Sequence, residues 1–285
     1  MLTRCPLASV GGVPLRLAFS PCPNDTFVFH ALVHGLVPHA PAFEVTYADV
    51  DVTNTAAERR EFDLVKVSYA ALPWLLDAYE LLPCGGALGR GCGPLVLVRD
   101  RAAVPSLYGR TVAVPGERTT AYLLLRLWSQ ERPPARVEVM PFHEIMPAVA
   151  EGRVDAGLVI HEARFTYRRY GLRSLVDLGE WWEADTGLPI PLGAILARRD
   201  TVEPGAATEW VRASVRHARA DPDASRDYVL AHAQEMEPDV VARHIDLYVN
   251  AYTEDLSAEG YAAADALLRR AAAAGITPPA PILTR

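Results

Sequence analysis

The chain is predicted to adopt an α/β fold of two lobes joined by two crossing strands, with a ligand cleft between them. Three observations predict it. Short apolar runs alternate with helical-period segments along most of the 285 residues, the pattern of βαβ units and a mostly parallel sheet. Two apolar strands, Pro94–Arg99 and Leu192–Arg198, bracket the middle of the chain, and each ends in charged residues before a new compact unit. After the second, the tail from Glu203 to Gly275 reads as helix. The first lobe therefore takes residues 1–97 together with 194–285, and the second takes 98–193.

Each element has a local reason. Leu15–Phe19 is an apolar strand, followed by a helix Asp25–His34 that Gly35 stops. Phe43–Val50 and Phe62–Val67 are the next strands, and a helix covers Tyr69–Tyr79. A glycine-rich stretch, Gly85–Gly93, leads into Pro94–Arg99. The second lobe contains strands Thr111–Val114, Arg136–Met140 and Ala156–Ile160. Its helices cover Thr120–Ser129, Ile145–Glu151 and Glu162–Tyr170. No internal repeat is present, and the Ala-rich run Ala271–Ala274 is simplest as helix.

Composition removes several classes of function. With 50% apolar and 22% charged residues the chain has ample material for a packed core, so disorder and coiled coil are out. Its 28 basic and 35 acidic residues give a net charge of −7, which offers no general attraction to nucleic acid or anionic lipid. Lys66 is the only lysine, a skew that follows nucleotide bias and carries no function by itself. The four cysteines, Cys5, Cys22, Cys84 and Cys92, form no C-x-x-C pair and are read as reduced. No signal-peptide pattern and no membrane-length apolar run is visible, so a cytoplasmic monomer or homodimer is expected.

Ligands of open α/β sheets sit beyond the carboxyl ends of the strands, where helix N-termini offer unpaired N–H groups. Four such junctions are chemically unusual. The first, Ser20-Pro21-Cys22-Pro23-Asn24-Asp25-Thr26, is a stiff turn in which Asn24 or Asp25 can cap the helix. The density of polar groups favours a substrate-facing loop, with Ser20 and Asn24 as contacts. Cys22 there is read as packing in preference to a nucleophile. The second junction, Lys66-Val67-Ser68, places a hydroxyl where strand becomes helix, while Lys66 supplies a charge near the cleft or points to solvent. A Schiff base is the weaker reading of Lys66.

The third junction, Val114-Pro115-Gly116-Glu117-Arg118-Thr119-Thr120-Ala121, combines a glycine turn, two hydroxyls and a helix start. That set suits a carboxylate; the P-loop and G-x-G-x-x-G spacings are absent. The fourth, Ile160-His161-Glu162, delivers an imidazole to the same edge, and His161 is the candidate general base. His30 and His34 stand at i and i+4, a zinc-compatible spacing, but no glutamate follows His30 and no metal site is expected. Trp181-Trp182 can serve as core or as a cleft wall that stacks on a planar ligand.

Together these strings resemble the 1,4-dihydroxy-6-naphthoate synthase family of the futalosine route to menaquinone. The carriers are Leu17-Ala-Phe-Ser-Pro-Cys-Pro-Asn-Asp-Thr-Phe-Val-Phe-His-Ala-Leu-Val-His-Gly35, Lys-Val-Ser at 66–68, Thr-Thr-Ala at 119–121 and Ile-His-Glu at 160–162. The resemblance covers essentially the whole chain, apart from an N-terminal dozen that look like an unshared extension. It implies a periplasmic-binding-protein-like (type II) fold and a lyase that needs no cofactor or metal. The implied substrate is a small-molecule carboxylate, cyclic de-hypoxanthine futalosine. By the same resemblance the proton acceptor is His161, and the substrate contacts fall at Lys66, Val67, Ser68, Thr120 and Ala121. A chorismate-dehydrating sister enzyme and a non-catalytic organic-acid binder are the alternatives.

Overall fold

A computed structural model describes residues 13–101, 103–233 and 237–283. The N-terminal dozen and Cys5 lie outside the described residues. Eleven strands are present among those described: β1 (Leu15–Phe19), β2 (Phe43–Tyr47), β3 (Leu64–Ser68), β4 (Tyr79–Leu81), β5 (Ala87–Gly89), β6 (Leu95–Val98), β7 (Thr111–Val114), β8 (Arg136–Val139), β9 (Ala156–Val159), β10 (Arg173–Asp177) and β11 (Ile190–Arg198). They form two sheets. One has the order β2-β1-β3-β11-β4, with β5 paired to another stretch of β11; the other has the order β10-β6-β9-β7-β8. The chain thus leaves the first sheet after β5 and returns to it as β11.

Neither sheet is purely parallel. In the first, β1 pairs parallel with β2 and β3, while β11 runs antiparallel to β3, β4 and β5. In the second, β7 is parallel to β8 and β9, whereas β6 is antiparallel to both β9 and β10. The two crossing strands create the reversed pairings, because each enters its sheet from the opposite lobe.

Several elements differ from the sequence expectation. The expected helix Tyr69–Tyr79 shrinks to a 3₁₀ turn, Tyr69–Ala71, and a single α-turn, Leu72–Leu75, after which Tyr79 opens β4. Pro73 fits the first turn of that helix and would obstruct a longer one running through it. Strands β4 and β5 have three residues each, too few to show a period. Strand β2 stops at Tyr47, and Val50 begins an unpredicted helix, Val50–Glu58, that later supplies Thr53 and Asn54 to the site. The first helix starts at Pro23, not Asp25. Its N-cap is Cys22, whose carbonyl accepts the N–H groups of Asp25 and Thr26 at 3.0 Å. Asn24 and Asp25 are consequently first-turn residues with their side chains released from capping.

Alternation along the strands sorts the core. In β1, Leu17 and Phe19 face the Pro23–Val33 helix and the long Pro204–Ala220 helix, whereas Ala18 joins the cluster on the opposite face with Val65 and Val67. Close backbone approach fixes one junction. A Cβ added at Gly93 would lie 2.1 Å from the Gly179 nitrogen and 2.3 Å from its Cα. Gly93→Ala is therefore expected to lower stability by about 3 kcal/mol or more, since neither backbone can yield as a side chain would. A urea midpoint equal to that of the parent would refute this.

The i, i+4 histidine pair lies on the first helix away from any metal-like grouping among the described residues. His30 is buried, its ring 4.4 Å from His34 and 6.4 Å from His217, and its Nδ1 has no hydrogen-bond partner. Burial, reinforced by those two rings, pulls its pKa down to about 4. The folded state then binds fewer protons than the unfolded chain below the ordinary histidine value near ~6.5. The stabilisation is complete above that value and fades as pH falls toward 4, by at most about 3 kcal/mol. Chemical denaturation between pH 7 and 4.5 should show this slope. His30→Leu should flatten it, and an unchanged slope would exclude His30 as its source.

Candidate active site

One pocket gathers residues from all four polar junctions. Ser20, Asn24, Lys66, Ser68, Thr119, Thr120, Ala121 and His161 line it, together with Asp25, Thr53, Cys92 and Tyr248. Val67 is the exception. Strand alternation turns Lys66 and Ser68 to the pocket and Val67 to the opposite face, where it is fully buried in the apolar core; its expected substrate contact is corrected to a packing role. The tryptophans also stand elsewhere. Trp182 is core, its indole N–H donating to the Pro189 carbonyl at 3.0 Å, and Trp181 lines a separate outer groove.

Asp25 is the electrostatic centre of the pocket floor. The only lysine of the chain donates to its Oδ1, Asn24 Nδ2 donates to Oδ1 at 2.7 Å, and Ser20 Oγ donates to Oδ2 at 2.7 Å. Lys66 is thereby neither solvent-facing nor a free anion receptor. A charge this deeply buried needs a partner, and Asp25 supplies it. The aspartate was legible as a turn residue; the signal for its role was the single lysine in an otherwise apolar strand.

The third junction does not present the expected pair of hydroxyls to the pocket. Thr119 Oγ1 is committed to its own cap, donating to the Gly116 carbonyl at 2.8 Å and accepting from Tyr122 N at 3.2 Å. Thr120 Oγ1 ties its helix to the first sheet, donating to the Leu192 carbonyl on β11 at 2.8 Å and accepting from Ala70 N, just past β3, at 3.2 Å. The helix Thr120–Trp128 instead offers its first-turn amides at Thr120 and Ala121, which have no intrahelical acceptor. Opposite them, Ser68 does not cap its helix. Asn54 clamps it, its Oδ1 accepting from Ser68 N at 2.8 Å and its Nδ2 donating to Ser68 Oγ at 3.1 Å. That arrangement fixes Ser68 as acceptor from the protein and leaves its O–H proton to point into the pocket.

His161 follows β9 with a left-handed backbone, φ +54°, a strained conformation for a side chain of this size. The strain carries its ring between two others: Phe142 meets it edge-on at 5.6 Å and His244 lies behind it at 6.2 Å with 28° between planes. The residue is partly buried and lines the pocket. Desolvation lowers its pKa to about 4; Asp25 opposes that shift and Lys66 adds to it. At neutral pH the imidazole is unprotonated and able to accept a proton.

Cys22, Cys84 and Cys92 are free. Among the described residues the one grouping with metal-ligand chemistry is Cys22, His161 and Glu162, whose ligand atoms lie within 4.8 Å of one another. Burial, followed by the charges of Glu162 and Asp25, pushes the Cys22 thiol well above its ordinary pKa. A protonated thiol is a poor nucleophile and a poor ligand, so this cysteine fits packing better than chemistry.

Two α/β sheets, a strand-crossed junction and a pocket of polar strand ends define the class: a periplasmic-binding-protein-like fold carrying an enzyme-like site. The sequence matches the menaquinone biosynthesis family over residues 15–273, and the chain belongs to that family. It is 63% identical to the 1,4-dihydroxy-6-naphthoate synthase of Streptomyces coelicolor, covering 93% of this chain and 95% of that one. Identity to the synthase of the same name from Thermus thermophilus is 51%, covering 94% and 97%. A solved protein from Archaeoglobus fulgidus is similar in structure, with a TM-score of 0.85, 34% identity and coverage of 92% and 98%. The alkanesulfonate-binding protein of Xanthomonas axonopodis shares the fold alone, at a TM-score of 0.69 and 17% identity, covering 96% and 98%. No helix among the described residues is long and apolar enough to cross a membrane.

Proposed function

We propose that this enzyme is a cofactor-independent lyase that converts cyclic de-hypoxanthine futalosine to 1,4-dihydroxy-6-naphthoate, acting in the cytoplasm. The observation that carries the reading is the His161 imidazole lining one pocket with Ser68 and with the first-turn amides of Thr120 and Ala121. The substrate's aromatic carboxylate docks between the Ser68 hydroxyl and the Thr120 and Ala121 amides, with its reacting carbon beside His161. The imidazole accepts the proton from that carbon. The electron pair left behind expels the sugar-derived fragment, and the new aromatic ring supplies much of the driving force. Holding both ends of the molecule turns proton transfer into an oriented, effectively intramolecular step.

The enzyme's first lobe takes residues 1–97 with 194–285 and its second 98–193; the grouping of β1–β5 with β11 in one sheet and β6–β10 in the other supports a division of this kind, with β6 starting at Leu95 and β11 at Ile190, a few residues before those bounds. The test is direct. Purified protein should consume the cyclic futalosine and release the naphthoate, followed by absorbance, and should leave chorismate untouched. Tight binding without consumption would make the chain an organic-acid binding protein, and dehydration of chorismate would make it the sister enzyme.

A further inference from the structure

His244 lies far from the four junctions in sequence, on the buried face of the helix Pro238–Tyr248 with Val240, Val241 and Tyr248. By pattern it reads as a core position, and its ring is wholly buried. A polar ring in such a place is destabilising unless its hydrogen bonds are made. It makes one at 2.9 Å, between Nε2 and Asn24 Oδ1. Because Asn24 Nδ2 is already turned to Asp25, its Oδ1 must accept, which fixes His244 as the Nε2–H tautomer. A chain of polar contacts therefore runs from Lys66 through Asp25 and Asn24 to a ring that also backs His161.

We infer that His244 is a positioning residue for the reaction: its Nε2–H locks the Asn24 amide so that Asp25 stays oriented on the pocket floor, and its ring supports the face of His161. The inference rests on the proposed role of His161 as base. Without that bond Asn24 is free to turn its carbonyl toward the Asp25 carboxylate, where the two oxygens repel. The charged and titratable groups facing the ring are Glu162, with Oε2 at 4.0 Å from Nδ1, then His161, Lys66, Asp25 by way of Asn24, and Tyr248 at 4.6 Å between rings. Burial first, then His161 and Lys66, hold the His244 pKa well below its ordinary value, which favours the uncharged ring.

His244→Leu keeps the volume and removes the donor. It is expected to lower kcat by roughly 10- to 100-fold, the scale of a small misplacement at a reacting centre, while KM changes by less than about threefold. His244→Gln, whose amide nitrogen reaches toward the Nε2 position, should recover most of the loss. Asn24→Ala removes the same bond from the other side, and combined with His244→Leu it should cost no more than the worse single change. Should the leucine variant fail to fold, the glutamine and Asn24→Ala variants carry the same comparison. Full turnover in a folded His244→Leu protein, or additive losses in the double variant, would overturn the inference. His161→Asn, assayed beside them, separates the two claims: retained turnover there sinks the base assignment, whereas its loss with an unaffected His244→Leu sinks only the positioning role.

Discussion

His161→Asn is expected to bind the substrate and to lose about 10²- to 10⁴-fold in kcat, the range that a positioned general base supplies. Asparagine retains a polar group at the pocket wall and tolerates the left-handed backbone at this position better than most residues, so the fold should survive the change. It cannot accept the proton. Binding is measured by calorimetry with product or substrate, and turnover by absorbance. Wild-type turnover in the variant would end the assignment. The parent's pH profile adds a second reading. Since only the unprotonated ring works and burial sets its pKa at about 4, kcat/KM should stay level through neutral pH and fall only as pH approaches that value. An acid limb near ~6.5, the unperturbed histidine value, would contradict the desolvated environment.

The places where chemistry collects were legible because they obey a rule of chain geometry. Ser20 and Ser68 follow the parallel strands β1 and β3 of one sheet, Thr120 and His161 follow the parallel strands β7 and β9 of the other, and the pocket lies where these two carboxyl edges meet. What happens between side chains was not legible. The threonine hydroxyls look like ligand donors in sequence, but the helix cap and the carbonyl of Leu192 on β11 claim them first. Which hydroxyl remains available depends on Asn54, in a helix whose weak apolar pattern gave no warning. His244 is hidden for the opposite reason: its helix has a strong apolar face, and one histidine in it looks like filler until the fold brings Asn24 to within 2.9 Å. Short strands such as β4 and β5 exist only through pairing with β11, and no periodicity in three residues can announce them.

The buried ion pair gives the second large effect, and it links stability to catalysis. Lys66 and Asp25 have side chains only 7% and 4% exposed, so either charge left alone is stranded in low dielectric. Lys66→Met should therefore destabilise the protein by about 3–5 kcal/mol, read as a lower urea midpoint, while Lys66→Met with Asp25→Asn should regain part of that loss because no uncompensated charge remains. A single variant within about 1 kcal/mol of the parent would mean that the pair is solvated. The same substitutions should move the acid limb of kcat/KM in opposite directions. Lys66 disfavours the imidazolium of His161 and Asp25 favours it. Lys66→Met removes the repulsion, so His161 holds its proton to higher pH and the limb shifts up; Asp25→Asn removes the attraction, and the limb shifts down. Opposed shifts place both charges within electrostatic reach of the base. Parallel shifts would instead report a general loosening of the pocket, in which solvent entry rather than the two named charges sets the affinity of His161 for its proton.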